Sequence, residues 1–529
     1  MKHTKQLILS TFLLLLISGC GGASSSLTPS SSSEAPISEI PSYSYEIEDI
    51  SNSEGSVYYE VFVRSFVDSD GDKVGDLYGL DRRIPYLADL GVSGLWLMPI
   101  NPSPSYHGYD VTDYKAIQSS YGTMTDFDNL VTRASEYNID IILDLVLNHS
   151  SSSHPWFTTG FNNYKNGNCA IANSYCDYYN FSGSGASATY EQRFSSSMPD
   201  LNLDSENVRN EIIDIVEFWL NKGVKGFRLD AVSYLYYNQR QKNIDFLTWF
   251  NGIVKNIRPD AYIVGEAWIE YQTELMTYYE AGVDSYFNFP GAKNTGRFVA
   301  NVNTSNGAGL ATFIESTTNQ IKATNADGFD APFLSNHDMD RSGTWFTTNR
   351  EMRQKAAASA YLLAPGRPFI YYGEEIGLKG SRGDAQTDAN RRLPMIWSET
   401  NKAGETKPPV GYTYDLNNQV KRGAFDLIDE DFSLTNHYKK VISLRNKYPL
   451  MERSAVEKMT FESTALLGLH YLGTEDLSDD IYVVTNLSNE VVTFETEFAI
   501  IDEVNTNQIK ATLLNDVLTL QPFSTVILK

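Results

Sequence analysis

Eight short and nearly continuous apolar runs recur along the chain, separated by longer polar or helix-like stretches. A strand of a parallel sheet is covered on both faces, so it is apolar throughout. A strand with one face exposed to solvent instead alternates apolar and polar residues. The recurrence therefore predicts an α/β fold built on a buried parallel sheet. The runs are residues 57–63, 94–100, 139–147, 226–230, 262–266, 284–288, 329–335 and 367–373.

One helix between the runs is clear from its period. Apolar side chains recur every three to four positions from about Ser205 to Lys222, and Gly223 is a typical helix stop. We therefore predict a helix that buries this apolar face. The face consists of Ile212, Ile215, Val216, Trp219 and Leu220.

Two stretches break the repeat of strand and helix. About 80 residues separate the third run from the fourth, and residues 149–204 are rich in Ser, Asn, Gly and Tyr, which is unlike a helix. We expect an inserted domain there, between a first part of the repeat at 54–148 and a second at 205–443. From about residue 444 the pattern changes to short alternating runs, which predicts a terminal β-sandwich over 444–529.

Residues 1–20 have the composition of a targeting signal. A basic start precedes an apolar run at 7–17, which is shorter than the roughly 20 residues of a membrane span. The sequence ISGC, ending at Cys20, resembles the lipobox of bacterial lipoproteins. The resemblance implies lipid on Cys20 and an extracytoplasmic protein anchored to the bacterial cell membrane. The alternative is a plain secretory signal.

Residues 21–53 are rich in Ser, Gly and Pro, so we expect a flexible tether. The two other cysteines are Cys169 and Cys176. In an oxidising exterior they could close a small disulfide loop, and the alternative is two free thiols. No His–Cys cluster surrounds them in the sequence, which argues against zinc.

The charge of the chain narrows the class of ligand. A net charge of −24 argues against nucleic-acid binding, which needs a basic face to neutralise phosphates. The 529 residues are enough for two or three domains, and the content of 42% hydrophobic and 12% aromatic residues suits a globular protein. We expect a monomer whose acidity serves solubility.

Three acidic residues lie in strand-end contexts: Asp230 in GFRLDAV, Glu266 in YIVGEAW and Asp338 in FLSNHD. Their separations of 36 and 72 residues correspond to about one and two strand–helix units of an eight-unit barrel. The carboxyl ends of barrel strands meet at one mouth, so the three carboxylates can converge there. One carboxylate that attacks an anomeric carbon, and a protonated one that protonates the leaving oxygen, make a retaining glycoside hydrolase.

Seven motifs extend this pattern from about Ser56 to the C-terminus. In order they are VYYEVFVRSF, DLVLNH, MPDLN, GFRLDAV, GEAW, FLSNHD and GEEIG. In this order they resemble the α-amylase family, family 13 of the glycoside hydrolases. The resemblance implies a (β/α)8 TIM barrel, with a domain B inserted after the third strand and a C-terminal antiparallel β-sandwich.

The resemblance also implies roles. Asp230 is the expected nucleophile, Glu266 the general acid, and Asp338 the third carboxylate, which stabilises the charged sugar. Arg228 precedes Asp230 by two strand positions, so it projects to the same side and can hold that carboxylate ionised. Tyr109 matches the family's aromatic platform under the sugar. The expected substrate-binding residues are His107, Tyr109, His149, Arg228 and His337.

The loop after the first run has carboxylates at alternate positions, which suits calcium ligation. It is not an EF-hand, because Lys73 and Gly79 occupy its sixth and twelfth positions. It resembles a calcium loop of one group of the family, and the alternative is an acidic turn without an ion. The implied Ca²⁺ ligands are Asp68, Asp70, Asp72, the carbonyl of Val74, and Asp76.

Many α-amylases hold another calcium between domain B and the barrel. They use an Asn like Asn148, an Asp like Asp200, and a His four residues after the nucleophile. Tyr234 occupies that last position here, so we predict only the calcium in the loop after the first run.

Local features favour one specificity within the family. MPDLN, at 198–202, looks intermediate between the oligo-1,6-glucosidase and neopullulanase patterns, as in members that are mostly α-amylases. Ala231 resembles α-1,4-acting members, and Tyr106 stands where exo-acting glucosidases have an Asp. We therefore expect endo cleavage of α-1,4 bonds in starch and maltooligosaccharides.

Three alternatives stay open within this resemblance. The chain could be a cyclomaltodextrinase or neopullulanase, or an oligo-α-glucosidase of the same family. It could also be a lipid-anchored starch-binding protein without catalysis, although the complete set of Asp230, Glu266, Asp338 and Arg228 argues against that.

Overall fold

A closed ring of parallel strands forms the centre of the protein, which a computed structural model describes for Tyr43, residues 56–473 and residues 479–529. The strands are β1 (Tyr58–Val61), β2 (Gly94–Leu97), β3 (Asp140–Leu145), β4 (Gly226–Leu229), β5 (Tyr262–Gly265), β6 (Ser285–Tyr286) and β7 (Phe369–Tyr371). They are hydrogen-bonded in the order β6-β5-β4-β3-β2-β1-β7, in parallel throughout. The predicted buried parallel sheet is confirmed.

The seventh apolar run, 329–335, closes the ring without forming a regular strand. Ala331 pairs with Phe287 and Phe333 pairs with Phe369, each as a single parallel bridge. Pro332 lies between the two bridging residues and has no N–H to donate to a ladder, which explains the interruption. All eight runs therefore take part in the barrel, and the predicted (β/α)8 barrel is confirmed.

Helices alternate with the barrel strands along the chain. The predicted helix spans Glu206–Asn221, and Ser205 caps it by accepting the backbone N–H of Val208. Its predicted apolar face is buried, and the chain leaves it at Gly223 with a positive φ of 91°. The helices are Leu77–Asp81, Ile84–Leu90, Met124–Glu136, Pro155–Lys165, Glu206–Asn221, Arg240–Ile257, Gln272–Met276, Arg297–Thr304, Gly307–Thr324, Arg350–Leu362, Ala424–Leu427, Leu434–Lys447 and Leu450–Arg453.

Large apolar side chains fill the barrel. Alternate residues of each strand point inward, and Tyr58, Trp96 and Tyr262 belong to one buried cluster with several phenylalanines. Two positions after Tyr58 and Ile142, the strands carry Glu60 and Asp144 instead. A polar layer therefore follows the apolar one toward the carboxyl ends of the strands.

The insertion at 149–204 contains more regular structure than its composition indicates. Residues Pro155–Lys165 form a helix, capped by His154, so the expectation of a helix-free excursion is wrong. Proline at the first position suits a helix start, and buried Phe157 stacks on Phe161 one turn later. Cys169 and Cys176 are joined in a disulfide, and a hairpin pairs Phe181–Ser182 with Thr189–Tyr190.

Two antiparallel sheets form the C-terminal domain. Its strands are β8 (Val456–Lys458), β9 (Leu466–Tyr471), β10 (Ile481–Asn486), β11 (Val492–Glu495), β12 (Ile500–Val504), β13 (Thr512–Leu514), β14 (Val517–Leu520) and β15 (Thr525–Leu528). The sheets, ordered β8-β9-β10-β15-β12 and β11-β14-β13, share a core that includes Val484 and Leu518. The β-sandwich begins at Val456, later than predicted, because the helix Leu434–Lys447 runs through residue 444.

The N-terminal predictions lie mostly outside the described residues. These include the signal segment 1–20, Cys20 and most of the tether. Tyr43 is described, and its hydroxyl donates to Asp89 while its ring stacks on Phe425 at 5.3 Å. Tyr43, which falls in the predicted flexible tether 21–53, therefore packs against the folded part of the chain. In the described part of the chain, no helix has the length and apolarity to span a membrane.

Candidate active site

Arg228 lies at the centre of a cluster of carboxylates at the mouth of the barrel. Its partner in the β3–β4 register is Asp144, and both side chains point inward. Arg228 Nη1 donates to Asp144 Oδ1 at 2.8 Å and to Asp230 Oδ1 at 2.6 Å. Nη2 lies 2.9 Å from Glu266 Oε1, without hydrogen-bond alignment. One buried guanidinium therefore lies against three carboxyl groups and donates hydrogen bonds to two of them.

Glu266 occupies the least hydrated position among the predicted catalytic residues. Burial raises its pKa to about 8, and the charges of Asp230 and Asp338 add to the rise against the opposing charge of Arg228. Glu266 Oε2 accepts the backbone N–H of Ala231 at 3.1 Å. Glu266 is therefore protonated at neutral pH and is suited to donate a proton.

Asp338 has the opposite electrostatic environment. Arg392 Nη2 donates to its Oδ1 at 2.7 Å, and His337 Nε2 lies 3.0 Å from its Oδ2. Burial would raise the pKa of Asp338, but the positive charges of His337 and Arg392 outweigh it and lower the pKa. Because its pKa is lowered, this carboxylate is ionised. Its side chain is 35% exposed, so it is also accessible from the cleft.

His337 connects the first strand with the middle of the cluster. Its Nδ1 lies 2.6 Å from Glu60 Oε1, and its Nε2 lies 2.7 Å from the hydroxyl of Tyr109. Burial would lower the pKa of His337, but the carboxylates of Asp338 and Glu60 outweigh it and raise the pKa to about 10. The Tyr109 hydroxyl also donates to Asp144 at 3.0 Å. These contacts fix the ring of Tyr109 at the floor of the cleft.

A cleft of about 510 Å³ brings most of the predicted residues together. His149 Nε2 is buried and has no hydrogen-bond partner in the described protein, which suits a substrate contact. Arg228 and His337 lie beneath the floor, where they hold the residues that reach the cleft. Its lining includes Tyr106, His107, Tyr109, His149, Asp230, Glu266, Trp268, Asp338 and Arg392.

Comparisons with known proteins agree with this geometry. A family model described as the catalytic domain of alpha amylase matches residues 60–454. The chain belongs to the α-amylase family of glycoside hydrolases. It is a glycoside hydrolase of family 13, and the predicted resemblance is confirmed.

Individual relatives of this α-amylase family member differ in their named activities. It is 40% identical over 491 residues to Alpha-amylase 3 of Dictyoglomus thermophilum, with 90% of this chain and 93% of that protein covered. It is 27% identical over 540 residues to Probable oligo-1,6-glucosidase 3 of Bacillus subtilis, with 82% and 95% covered. The solved structure of Eubacterium rectale Amy13B has a TM-score of 0.83 and 35% identity, with 90% and 97% covered.

Sequence reasoning missed three residues of this family 13 site. Asp144 lies inside the DLVLNH motif and Glu60 inside VYYEVFVRSF, so an acidic residue in an apolar strand was the available signal. Arg392 lies in none of the quoted motifs, and no signal in the sequence marks it. All three are buried and contact predicted site residues.

Ala231 links Asp230 and Glu266 through its backbone. Its φ is 48°, in the left-handed region that is costly for a residue with a Cβ. This turn directly after Asp230 aims the N–H of Ala231 at Glu266. Such strain next to Asp230 is typical of functional sites.

The acidic loop after β1 is folded around its own carboxylates. Asp68, Asp70 and Asp76 each offer an oxygen, and these oxygens lie within 4.8 Å of one another. Asp72 is not part of this group, and its Oδ1 accepts the backbone N–H of Val74 at 2.6 Å. Three of the predicted ligands thus form a group whose oxygen-only donors suit a hard cation such as calcium.

Asp200, which matches a ligand of the family's other calcium, contacts Arg193. Asp200 Oδ1 accepts the backbone N–H of Arg193 at 3.1 Å, and Arg193 Nε lies 3.8 Å from Asp200 Oδ2. Asn148 Nδ2 lies 3.2 Å from His149 Nδ1. Among the described His, Cys, Asp and Glu residues, Asp200 belongs to no group of three or more that could hold a metal ion.

Proposed function

We propose that the protein is a retaining, endo-acting α-amylase that cleaves α-1,4-glucosidic bonds of starch and maltooligosaccharides. The observation that carries the proposal is a pair of carboxyl groups in one cleft, one bonded to a buried guanidinium and the other buried with a raised pKa. Asp230 is held by the charge of Arg228, whereas burial raises the pKa of Glu266 to about 8. Two such groups are what a retaining glycosidase requires.

The proposed reaction has two steps. Asp230 attacks the anomeric carbon, and Glu266 transfers its proton to the glycosidic oxygen as that C–O bond breaks. Glu266 then takes a proton from water, whose oxygen attacks the same carbon and releases Asp230. The ionised Asp338, held by His337 and Arg392, stabilises the positive charge of the oxocarbenium-like transition state.

Two features support α-1,4 endo specificity over the alternatives. Tyr106 lines the cleft where exo-acting relatives have an Asp, and Ala231 follows Asp230 as in α-1,4-acting members. Similarity is also higher to the α-amylase, at 40% identity, than to the oligo-1,6-glucosidase, at 27%. The complete carboxylate cluster argues against a purely binding role.

Product analysis on soluble starch, maltotriose, pullulan and β-cyclodextrin tests this specificity. An endo-acting α-amylase releases mixed maltooligosaccharides from starch and hydrolyses the other three slowly. NMR should show the α-anomer first, because double displacement retains configuration. Faster hydrolysis of β-cyclodextrin or pullulan than of starch would favour a cyclomaltodextrinase or neopullulanase instead.

The acidic loop supports a structural calcium site. Asp68, Asp70 and Asp76 would hold Ca²⁺, with Asp72 and the carbonyl of Val74 as further ligands proposed from the family resemblance. The ion would neutralise carboxylates that otherwise repel one another. In this role it stabilises the loop after β1 and takes no part in bond cleavage.

Chelation should lower the melting temperature by a few degrees, because an ion that binds only the folded state stabilises it by mass action. Calorimetry with EDTA and then with added Ca²⁺ measures this. In Asp70→Asn the melting temperature should respond much less, since one ligand charge is lost while the amide oxygen can still accept the N–H of Asp72. If neither EDTA nor added Ca²⁺ changes the melting temperature of the wild-type protein, the loop is an acidic turn without an ion.

We further propose that lipid on Cys20 anchors the protein outside the cytoplasm. Cys20→Ser should release it from membranes into the soluble fraction, with unchanged specific activity on starch, because every proposed catalytic residue lies beyond residue 56. Fractionation followed by a starch assay measures both. A variant that stays on membranes after a salt wash would reveal another anchoring surface, and a soluble but inactive one would give the tether a structural role.

A further inference from the structure

Three exposed aromatic rings form a row that begins at the catalytic cleft. Phe194, Tyr234 and Tyr237 are 47%, 38% and 43% exposed, although large aromatic side chains are usually buried. The rings of Phe194 and Tyr234 lie 5.2 Å apart, and those of Tyr234 and Tyr237 lie 5.9 Å apart at an angle of 29°. Phe194 and Tyr234 line the cleft together with Asp230 and Glu266. Adjacent exposed apolar side chains of this kind indicate a binding surface.

A second cavity of about 150 Å³ is also lined by Tyr234. Tyr234 lines both spaces, and Tyr237 lines only the second. We call this second space the outer groove. Apart from its aromatic residues, its wall is mostly polar, with side chains from the insertion and from the segment after β4. Its polar lining includes Asn180, Arg193, Asp200, Asn202, Gln239 and Lys242.

The charges in the wall of the outer groove are paired with one another. Lys242 Nζ lies 3.2 Å from Asp204 Oδ2, and Arg193 contacts Glu191 and lies 3.8 Å from Asp200. A charged ligand would have to break these pairs, whereas neutral hydroxyl groups can add hydrogen bonds to them. Within the described chain, the sole group of three carboxylates close enough for a metal ion lies in the loop after β1. The lining therefore favours a neutral, hydroxyl-rich ligand.

The ring of Tyr237 is held in place from one side. The guanidinium carbon of Arg193 lies 4.7 Å from its centre, which covers one face by a cation–π contact. The ring is nevertheless 43% exposed, so much of its other surface is open to solvent. A pyranose ring can stack there through its apolar face while its hydroxyl groups contact the polar wall.

We propose that the aromatic row and the outer groove bind the part of an α-glucan chain that extends beyond the sugars held in the catalytic cleft. The chain runs from the cleft over Phe194 and Tyr234 to Tyr237, because the cleft and the outer groove share the ring of Tyr234. This inference rests on the proposed α-1,4-glucan substrate. It assigns to Tyr237, which does not line the cleft, a role in selecting long chains over short ones.

Tyr237→Ala tests the inference, with Tyr412→Ala as the matched control because Tyr412 is 41% exposed and lines neither the cleft nor the outer groove. We expect Tyr237→Ala to lower kcat/KM on maltoheptaose and amylose about three- to tenfold, the loss expected for one stacked ring. On maltotriose, whose three sugars would occupy the catalytic cleft under this proposal, kcat/KM should stay within about twofold. Tyr237→Trp should retain the preference for long chains, since it keeps an aromatic face.

The outcomes separate this inference from the proposed function. Equal kcat/KM changes on maltotriose and maltoheptaose, or no change on either, would contradict the role of the outer groove while leaving α-amylase activity in place. A wild-type enzyme that cleaves only α-1,6 bonds or disaccharides would contradict the proposed function, and the outer-groove proposal with it. If Tyr237→Ala lowers the melting temperature, Tyr237→Trp becomes the deciding variant. The inference is then overturned if Tyr237→Trp loses the preference for long chains.

Discussion

Asp230→Asn should lower kcat on starch by at least about a thousandfold, because it removes the atom that forms the covalent bond to the sugar. Asparagine has nearly the same shape, and Arg228 keeps its contacts with Asp144 and Glu266. The protein should therefore fold and still bind starch. Steady-state assays, the melting temperature and retention on a starch affinity gel measure these three properties.

Asp429→Asn is the matched control for this variant. Asp429 is exposed, so its substitution removes the same charge without touching the cleft. It should keep the activity of the parent enzyme. Residual activity of Asp230→Asn above about one per cent of wild type would contradict the nucleophile assignment, because loss of a covalent nucleophile costs several orders of magnitude.

Glu266→Gln should lower kcat on starch by roughly a hundredfold to ten-thousandfold, since the glycosidic oxygen would leave without a proton. On a maltoside with a dinitrophenolate leaving group, the first step needs no protonation, so the loss in that step should be much smaller. Stopped-flow detection of the released phenolate measures it. Glu280→Gln, at an exposed glutamate outside the cleft, is the control and should behave as wild type on both substrates.

The pH profile of the wild-type enzyme provides an independent test of the same residue. Glu266 must be protonated to act, and burial raises its pKa to about 8. The rate constant kcat/KM on starch should therefore stay high at neutral pH and fall as pH rises through about 8. The alkaline fall should be absent in Glu266→Gln. Equal losses on both substrates, with an unchanged pH profile, would contradict the general-acid assignment.

The local pattern of apolar residues in the sequence predicted most of the architecture. Each of the eight apolar runs takes part in the barrel, because a strand buried on both faces must be apolar along its length. The helix over Glu206–Asn221 follows from a period of 3.6 and from its cap. The motifs likewise identified Asp230, Glu266 and Asp338, which the structure brings to one cleft.

Local pattern was less reliable where packing decides the structure. The helix Pro155–Lys165 lies in a stretch whose composition resembles a loop, and its buried Phe157 packs against aromatic side chains of the same insertion. The run at 329–335 looks like a strand but is interrupted at Pro332. Tyr43 packs against Phe425 although its surroundings in the sequence have tether-like composition.

By itself, the sequence determined where the strand runs lie along the chain, the family motifs, and the spacing that places Arg228 and Asp230 on one side of a strand. Only the tertiary structure showed that Arg228 also meets Asp144, 84 residues away, and that His337 meets Glu60 across 277 residues. The aromatic row, too, exists only because the insertion brings Phe194 beside Tyr234. Periodicity reports which face of an element is buried, whereas the partners that share a cleft are set by how the closed barrel and its insertion pack together.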